Sequence, residues 1–317
     1  MSEAKGERPR GVRFLAWLLM RMVRIVILLV LAMVTVLPFS IILGNTLRPR
    51  IPTRRTPQHI GLAFEHAYLT AADSTQLDAW WIPADRDTGK TMLVCHGVGA
   101  NRDDILRFLP FLHDAGYHIL TWDWRGHGLS QWRQVTFGFK EKQDVRAAVD
   151  WVKSQHPKQA QWLGALGISM GAGILVQAGP SCPEIQAFVL DSPFASVRTM
   201  LPFMLKNLPL PLREVVCALT AGAARVAVGC SIDEVAPVRY IGAIAPRPIF
   251  MSHGTDDRVI PWQETPLLKE ACRGPVEMWI EPGIGHTELR EYQPERYHAR
   301  VLKFLAQAQA QPRASAR

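Results

Sequence analysis

A serine stands between two glycines, Gly167-Ile168-Ser169-Met170-Gly171, where a short apolar run meets the start of a helical pattern. Residues 161–166 suit a buried strand, and residues 172–177 suit a helix. A chain that turns so sharply from strand to helix needs neighbours that nearly lack side chains, and the glycines supply them. The turn then holds the serine hydroxyl clear of the sheet edge, above the helix N-terminus. A pentamer of this kind also arises by chance, so the order of the residues around it has to decide.

The flanking sequence repeats the strand-then-helix rhythm. Residues 62–69 and 75–82 read as an antiparallel strand pair. Residues 91–96, 118–122, 185–190, 248–252 and 276–280 are short apolar runs that suit buried parallel strands. Helical patterns fall at 103–115, 140–153, 263–272 and 295–306. In the second of these Val145, Ala148, Val149 and Val152 recur at core spacing. Repeated β-then-α units predict a mainly parallel central sheet with helices on both faces, with ligands bound beyond the carboxyl ends of its strands. Residues 194–245 interrupt the rhythm. Their portion 200–212 is apolar and broken by prolines, which predicts a cap insertion over the sheet edge.

Charge places the chain. The net charge is +8, and residues 1–60 carry all of it, with ten Lys/Arg against Glu3 and Glu7. The rest is balanced, so no basic face for nucleic acid is expected. The excess flanks residues 25–43, a run without a single charge. At ~1.5 Å per residue this run is about long enough to cross a hydrocarbon core of ~30 Å. No small-x-small cleavage site follows it, so it reads as an uncleaved transmembrane helix, with Pro38 tolerated inside it. Residues 1–24 form a basic N-terminal segment, 44–60 a Pro/Arg/Thr-rich linker, 61–305 the large domain and 306–317 a low-complexity flexible tail. More Lys/Arg precede the span than follow it, which predicts a cytoplasmic N-terminus and a large domain on the extracytoplasmic side. Cys95, Cys182, Cys217, Cys230 and Cys272 are odd in number and lack CxxC spacing, so neither a zinc site nor a disulfide framework is expected.

A serine hydroxyl needs a base within hydrogen-bond reach, and the base needs an orienting acid. His286 follows the last predicted strand in a Gly-rich turn, and Asp257 follows the strand before it. The order Ser169, Asp257, His286 places three functional groups at the carboxyl ends of three strands, where they can converge. Asp256 competes with Asp257, which lies further into its loop. Asp191 also ends a predicted strand and is a weaker candidate acid. A tetrahedral intermediate needs donors for its oxyanion. The backbone N–H of Met170 is one candidate, and that of Val98, in His96-Gly97-Val98-Gly99, is the other. Asn101 is a candidate cap for the following helix, with Asp103 and Asp104 in its first turn.

With these motifs in place, residues 61–305 resemble the α/β-hydrolase superfamily. His96-Gly97, Asp123-Trp124-Arg125-Gly126-His127-Gly128-Leu129-Ser130, the serine turn, and the Asp257 and His286 loops match in order. The second stretch is similar to the serine aminopeptidase/monoacylglycerol-lipase-like branch, and an N-terminal anchor resembles the membrane-associated α/β-hydrolase-domain proteins. The resemblance implies an α/β-hydrolase fold, with Ser169 as nucleophile, His286 as base and Asp257 as acid. It gives Arg125 and His127 a mainly structural role near the oxyanion loop.

The resulting expectation is a single-pass, membrane-anchored serine hydrolase of carboxylic esters or thioesters, with a small-molecule or lipid-like acyl substrate. No metal or organic cofactor is required, and the sequence leaves the oligomeric state open. A peptidase or amidase of the same fold, and a non-catalytic membrane-tethered binding protein, are the alternatives.

Overall fold

The computed structural model describes residues 10–311, and it begins with one helix, α1 (Arg10–Thr46), of 37 residues. At ~1.5 Å per residue α1 is about 55 Å long, well beyond a hydrocarbon core of ~30 Å. It is long and apolar enough to cross a membrane. Its first two-thirds expose apolar side chains on all sides, Leu28 and Leu29 among them. The helix extends beyond the expected span of 25–43 and takes in residues 10–24 of the basic segment; residues 1–9 lie outside the described residues.

Eight strands follow: β1 (Glu65–Thr70), β2 (Gln76–Ile82), β3 (Lys90–Cys95), β4 (His118–Trp122), β5 (Trp162–Ile168), β6 (Ile185–Asp191), β7 (Ile249–Gly254) and β8 (Val276–Glu281). They form one sheet in the order β1-β2-β4-β3-β5-β6-β7-β8. The pairs β1/β2 and β2/β4 are antiparallel and all the others are parallel. Register lines up the carboxyl ends. Cys95 pairs with Gly167, Ile168 with Asp191, and Gly254 with Glu281. The loops that leave β3, β5, β6, β7 and β8 therefore emerge side by side.

Side chains alternate across the sheet as the strand period of two requires. In β3, Leu93 and Cys95 enter one core and Met92 and Val94 the other. The first core is closed by α3 (Lys142–Gln155) and α4 (Met170–Ala178). Val145, Ala148, Val149 and Val152 of α3 are buried there at the expected spacing. The second core is closed by α2 (Leu109–Asp114) and, from the C-terminal end, by α9 (Pro294–Ala310). Tyr297, Val301, Phe304, Leu305 and Ala308 line one stripe of α9. Each large aliphatic side chain so buried contributes roughly 1.5–3 kcal/mol.

The insertion holds α5 (Val197–Met204) and α6 (Leu210–Val228), after which α7 (Glu264–Ala271) and the short α8 (Leu289–Tyr292) complete the chain. The last turns of α1 pack on α6, where Ile41 and Ile42 meet Leu201, Ala224 and Ile232.

Three expectations differ from this picture. The segment expected as a linker is laid along the domain. Asn101 Nδ2 donates to Ile51 O at 3.1 Å, and Arg50 Nη1 donates to Ser130 O at 2.9 Å. The helix expected over 103–115 is a 3-10 turn (Leu106–Phe108) leading into α2. Asn101 caps a local turn, accepting from Asp103 N at 2.7 Å, and Asp103 receives the backbone N–H groups of Arg54 and Arg55 at 3.0 Å each. These side chains bind the N-terminal strap instead of starting a helix. Residues 306–310 of the expected flexible tail belong to α9, which runs to Ala310 and buries Ala308; residues 312–317 lie outside the described residues.

Candidate active site

The turn at Ser169 is as tight as the sequence requires. Ser169 has φ 54° and ψ −117°, a conformation that side chains other than glycine rarely adopt. A Cβ at Gly167 would stand 2.7 Å from Ala172 N, and one at Gly171 would stand 2.6 Å from His96 O. Both contacts are with backbone, so neither glycine can be enlarged without moving β3 or α4. Ser169 N–H donates to Asp191 O at 2.8 Å, which ties the turn to the end of β6.

The Gly-rich loop after β8 returns His286 over the sheet edge. Its neighbour Thr287 donates from the backbone to Ser192 Oγ at 3.3 Å. The imidazole Nε2 lies 2.9 Å from Ser169 Oγ, and Nδ1 lies 2.5 Å from Asp257 Oδ2. A serine O–H donating to Nε2 and an Nδ1–H donating to the carboxylate satisfy both contacts at once. The structure thus brings Ser169, His286 and Asp257 into one hydrogen-bonded line. Ser169 and Asp257 are buried, while His286 keeps a partly exposed edge.

Asp257 is held on every side. Oδ1 accepts the backbone N–H groups of Val259 and Ile260 at 2.8 Å each, and Oδ2 accepts from His253 Nε2 at 3.0 Å as well as from His286. Burial pushes its pKa up, but the hydrogen bonds from His253 and His286 outweigh it and hold the carboxyl well below the usual range. Asp256, the competing acid, is exposed, and among the described residues its carboxylate accepts from Thr255 Oγ1 alone. Asp191 is fully buried at the end of β6, where burial raises its pKa, and it does not reach His286 Nδ1. His253 was not singled out by the sequence. Its one signal is position: the last residue but one of β7, four before Asp257.

On the opposite side lies the loop after β3. Gly97 abuts the serine, since a Cβ there would be 3.3 Å from Ser169 Cβ. Val98 and Met170 line the same cavity as Ser169. Among the described residues the Val98 N–H has no protein acceptor, and the Met170 N–H opens α4, where helix amides have no intrahelical partner. The loop is braced from beneath. His127 Nε2 accepts from Gly99 N–H at 3.3 Å while its Nδ1 lies 3.1 Å from Arg125 O. His96 Nε2 accepts from Trp124 N–H at 3.1 Å. Burial lowers the pKa of both histidines, favouring the neutral ring that can accept. Arg125, buried against Asp144 and Asp73, holds this stretch in place. Its role, and that of His127, is thus bracing of the loop.

Ser169 opens into a cavity of about 440 Å³, within the ~300–1,000 Å³ usual for small-molecule sites. Its walls are mostly apolar: Phe194, Val197, Met200 and Leu201 from the insertion, and Ile41 and Ile42 from α1. The charged residues that line it are Arg48, Lys206 and Arg258, all cationic. No cluster of His, Cys, Asp or Glu that could hold a metal ion occurs among the described residues.

Comparison with known proteins agrees with the fold. Residues 86–231 match the family model described as serine aminopeptidase, S33. The chain is 31% identical to the uncharacterized protein YqkD of Bacillus subtilis (strain 168) over 231 residues, covering 70% of this chain and 73% of that one. It is 26% identical to the uncharacterized protein YfhR of Escherichia coli (strain K12) over 252 residues, covering 77% and 81%. The solved structure of the Pyrococcus furiosus esterase Pf2001 superposes with a TM-score of 0.69 at 26% identity, covering 83% of this chain and 98% of that one. By its fold, its motifs and these relatives, the chain belongs to the α/β-hydrolase superfamily, in the serine aminopeptidase-like branch.

Proposed function

We propose that the protein is a membrane-anchored serine hydrolase that cleaves carboxylic ester or thioester bonds of acyl or lipid-like substrates. One observation carries the reading: Ser169 Oγ, His286 and Asp257 form a relay of 2.9 and 2.5 Å at the floor of an apolar cavity. Ser169 Oγ attacks the carbonyl carbon as His286 Nε2 takes its proton. The imidazolium, stabilised by Asp257, then protonates the leaving alkoxide or thiolate. An acyl-enzyme remains, and water activated by the same imidazole releases the acid and restores the serine. The amides of Val98 and Met170 are the donors for the oxyanion, each of a kind worth ~3–4 kcal/mol of transition-state stabilisation.

The esterase among the structural relatives supports ester chemistry. The family description favours a second reading, an aminopeptidase. Such an enzyme must receive a substrate ammonium group, and a carboxylate is the group that does so. Among the described residues no carboxylate lines the cavity, and its charges are all positive. This lining therefore favours acyl esters. α1, apolar and long, serves as the single-pass anchor, with the hydrolase domain on the extracytoplasmic side.

The test is turnover of p-nitrophenyl esters and acyl thioesters against aminoacyl anilides. Ester or thioester hydrolysis that disappears in Ser169→Ala is expected. Faster turnover of the anilides assigns the site to peptide chemistry. A C-terminal reporter that is active only outside the cytoplasm checks the orientation.

A further inference from the structure

We infer that the last turns of α1 are a working wall of the substrate site, and that the acyl chain of a bilayer-resident ester enters beside them. The inference rests on the reading of Ser169 as nucleophile and of α1 as membrane helix, and it specifies where the substrate comes from.

An anchor that only tethers a domain needs no fixed contact with it. Here the contact is specific. Thr46, at the end of α1, accepts from Val135 N–H through its carbonyl and from Gln134 Nε2 through Oγ1, both at 2.9 Å. The strap beyond it is pinned through Arg50, Ile51, Arg54 and Arg55 to the loops after β3 and β4. The helix end and the domain are thus one body, stitched by polar groups over ten residues of chain.

That body encloses the site. Ile41 and Ile42 line the cavity that also holds Ser169, facing Leu201 and Ala224 of the insertion. Outward from these isoleucines α1 presents exposed apolar side chains all round. A mostly apolar surface therefore leads from the bilayer-length part of α1 to the cavity that holds the serine. The insertion adds a second, independent feature. Leu210, Val215 and Val226 are exposed on α6, which packs against α1, and Met204 is exposed at the end of α5, which packs on α6. Apolar side chains exposed on the element beside a membrane helix are covered when that element lies against lipid. A long acyl chain can then pass from the bilayer into the cavity without crossing water. A water-soluble short ester gains nothing from the route.

The experiment uses the full chain reconstituted in phosphatidylcholine vesicles, assayed with p-nitrophenyl butyrate and p-nitrophenyl laurate. Ile42→Trp fills the wall, and Leu29→Trp places the same bulk on the outward part of α1. Ile42→Trp should lower kcat/KM for laurate about tenfold or more relative to that for butyrate, and Leu29→Trp should change neither. Ile42→Ala, which enlarges the cavity and is the safer variant to fold, should shift preference toward longer chains. Equal loss on both esters, or no loss on either, in Ile42→Trp, together with an unchanged chain-length profile in Ile42→Ala, overturns the inference while leaving Ser169 chemistry intact. Wild-type protein that hydrolyses neither ester contradicts the hydrolase reading itself.

Discussion

His253 donates from Nε2 to Oδ2 of Asp257 at 3.0 Å, the oxygen that also receives His286. A second acceptor, Ile260 O at 3.1 Å, faces the same nitrogen, so the proton belongs on Nε2 and Thr265 Oγ1 donates to Nδ1 at 2.7 Å. His253 is fully buried, so it acts through Asp257 as a positioning residue for the proposed acid.

Replacing it separates positioning from packing. His253→Phe keeps the ring volume and removes the donor. A hydrogen bond to a charged group contributes about 1.5–3 kcal/mol, so kcat should fall roughly ten- to a hundredfold with KM little changed. His253→Gln, whose amide can donate to the same carboxylate, should recover part of the loss. Steady-state kinetics on a short ester measure both. A rise in KM with kcat intact contradicts the assignment.

The carboxyl of Asp257 carries a pH signature. Burial acts against its ionised form, and the bonds from His253 and His286 outweigh that penalty, so its folded pKa lies below the unfolded one. A group depressed in this way contributes stability that is fully present above the unfolded value, ~3.9, and lost as pH falls through the folded value. Asp257→Asn should therefore be destabilised relative to wild type near neutrality. The gap should narrow below about pH 4, where the wild-type unfolded chain is already protonated. Urea unfolding across the acid range measures the gap. A constant difference rules out this linkage.

The loop proposed to hold the oxyanion depends on His127 in its neutral form. Burial, the largest influence, lowers its pKa, although the bond to Arg125 O acts the other way. The bracing contribution is complete above the unfolded value of ~6.5 and is lost as pH falls through the lower folded value. His127→Leu leaves the Gly99 amide without its acceptor, at a cost of about 1–3 kcal/mol. Activity should drop, and His127→Gln, which offers an amide oxygen, should restore part of it. Equal activity in the Leu and Gln variants counts against bracing through Gly99.

Strain at Ser169 predicts a trade between stability and activity. Its positive φ costs of order 1–3 kcal/mol in a residue with a side chain. Ser169→Gly should relieve part of that strain, so the inactive variant should unfold at higher temperature or denaturant concentration than wild type. Differential scanning calorimetry tests it, and a lower Tm contradicts it.

Much of this was legible in sequence because local pattern and global fold agree. The strand at 118–122 stands where alternation places it, and the core stripe of α3 follows its period. Ser169, Asp257 and His286 could be assembled from chain order because parallel register brings the strand ends together. Three features were hidden because they depend on contacts between distant segments. Asp103 has the composition of a first-turn helix residue, yet its oxygens hold the strap some fifty positions earlier. His253 looks like the end of a strand until Asp257 folds back on it. Ile41 and Ile42 sit in a membrane-type run, and only the packing of α6 reveals that they line the site.

The central claim is that Ser169 is the nucleophile, and covalent trapping tests it most directly. Wild-type protein is treated with a fluorophosphonate, digested and mapped by mass spectrometry. A single adduct on the peptide containing Ser169, absent in Ser169→Ala and slowed in His286→Ala, is the predicted result. An adduct on another residue, or labelling that persists in folded Ser169→Ala, contradicts the account.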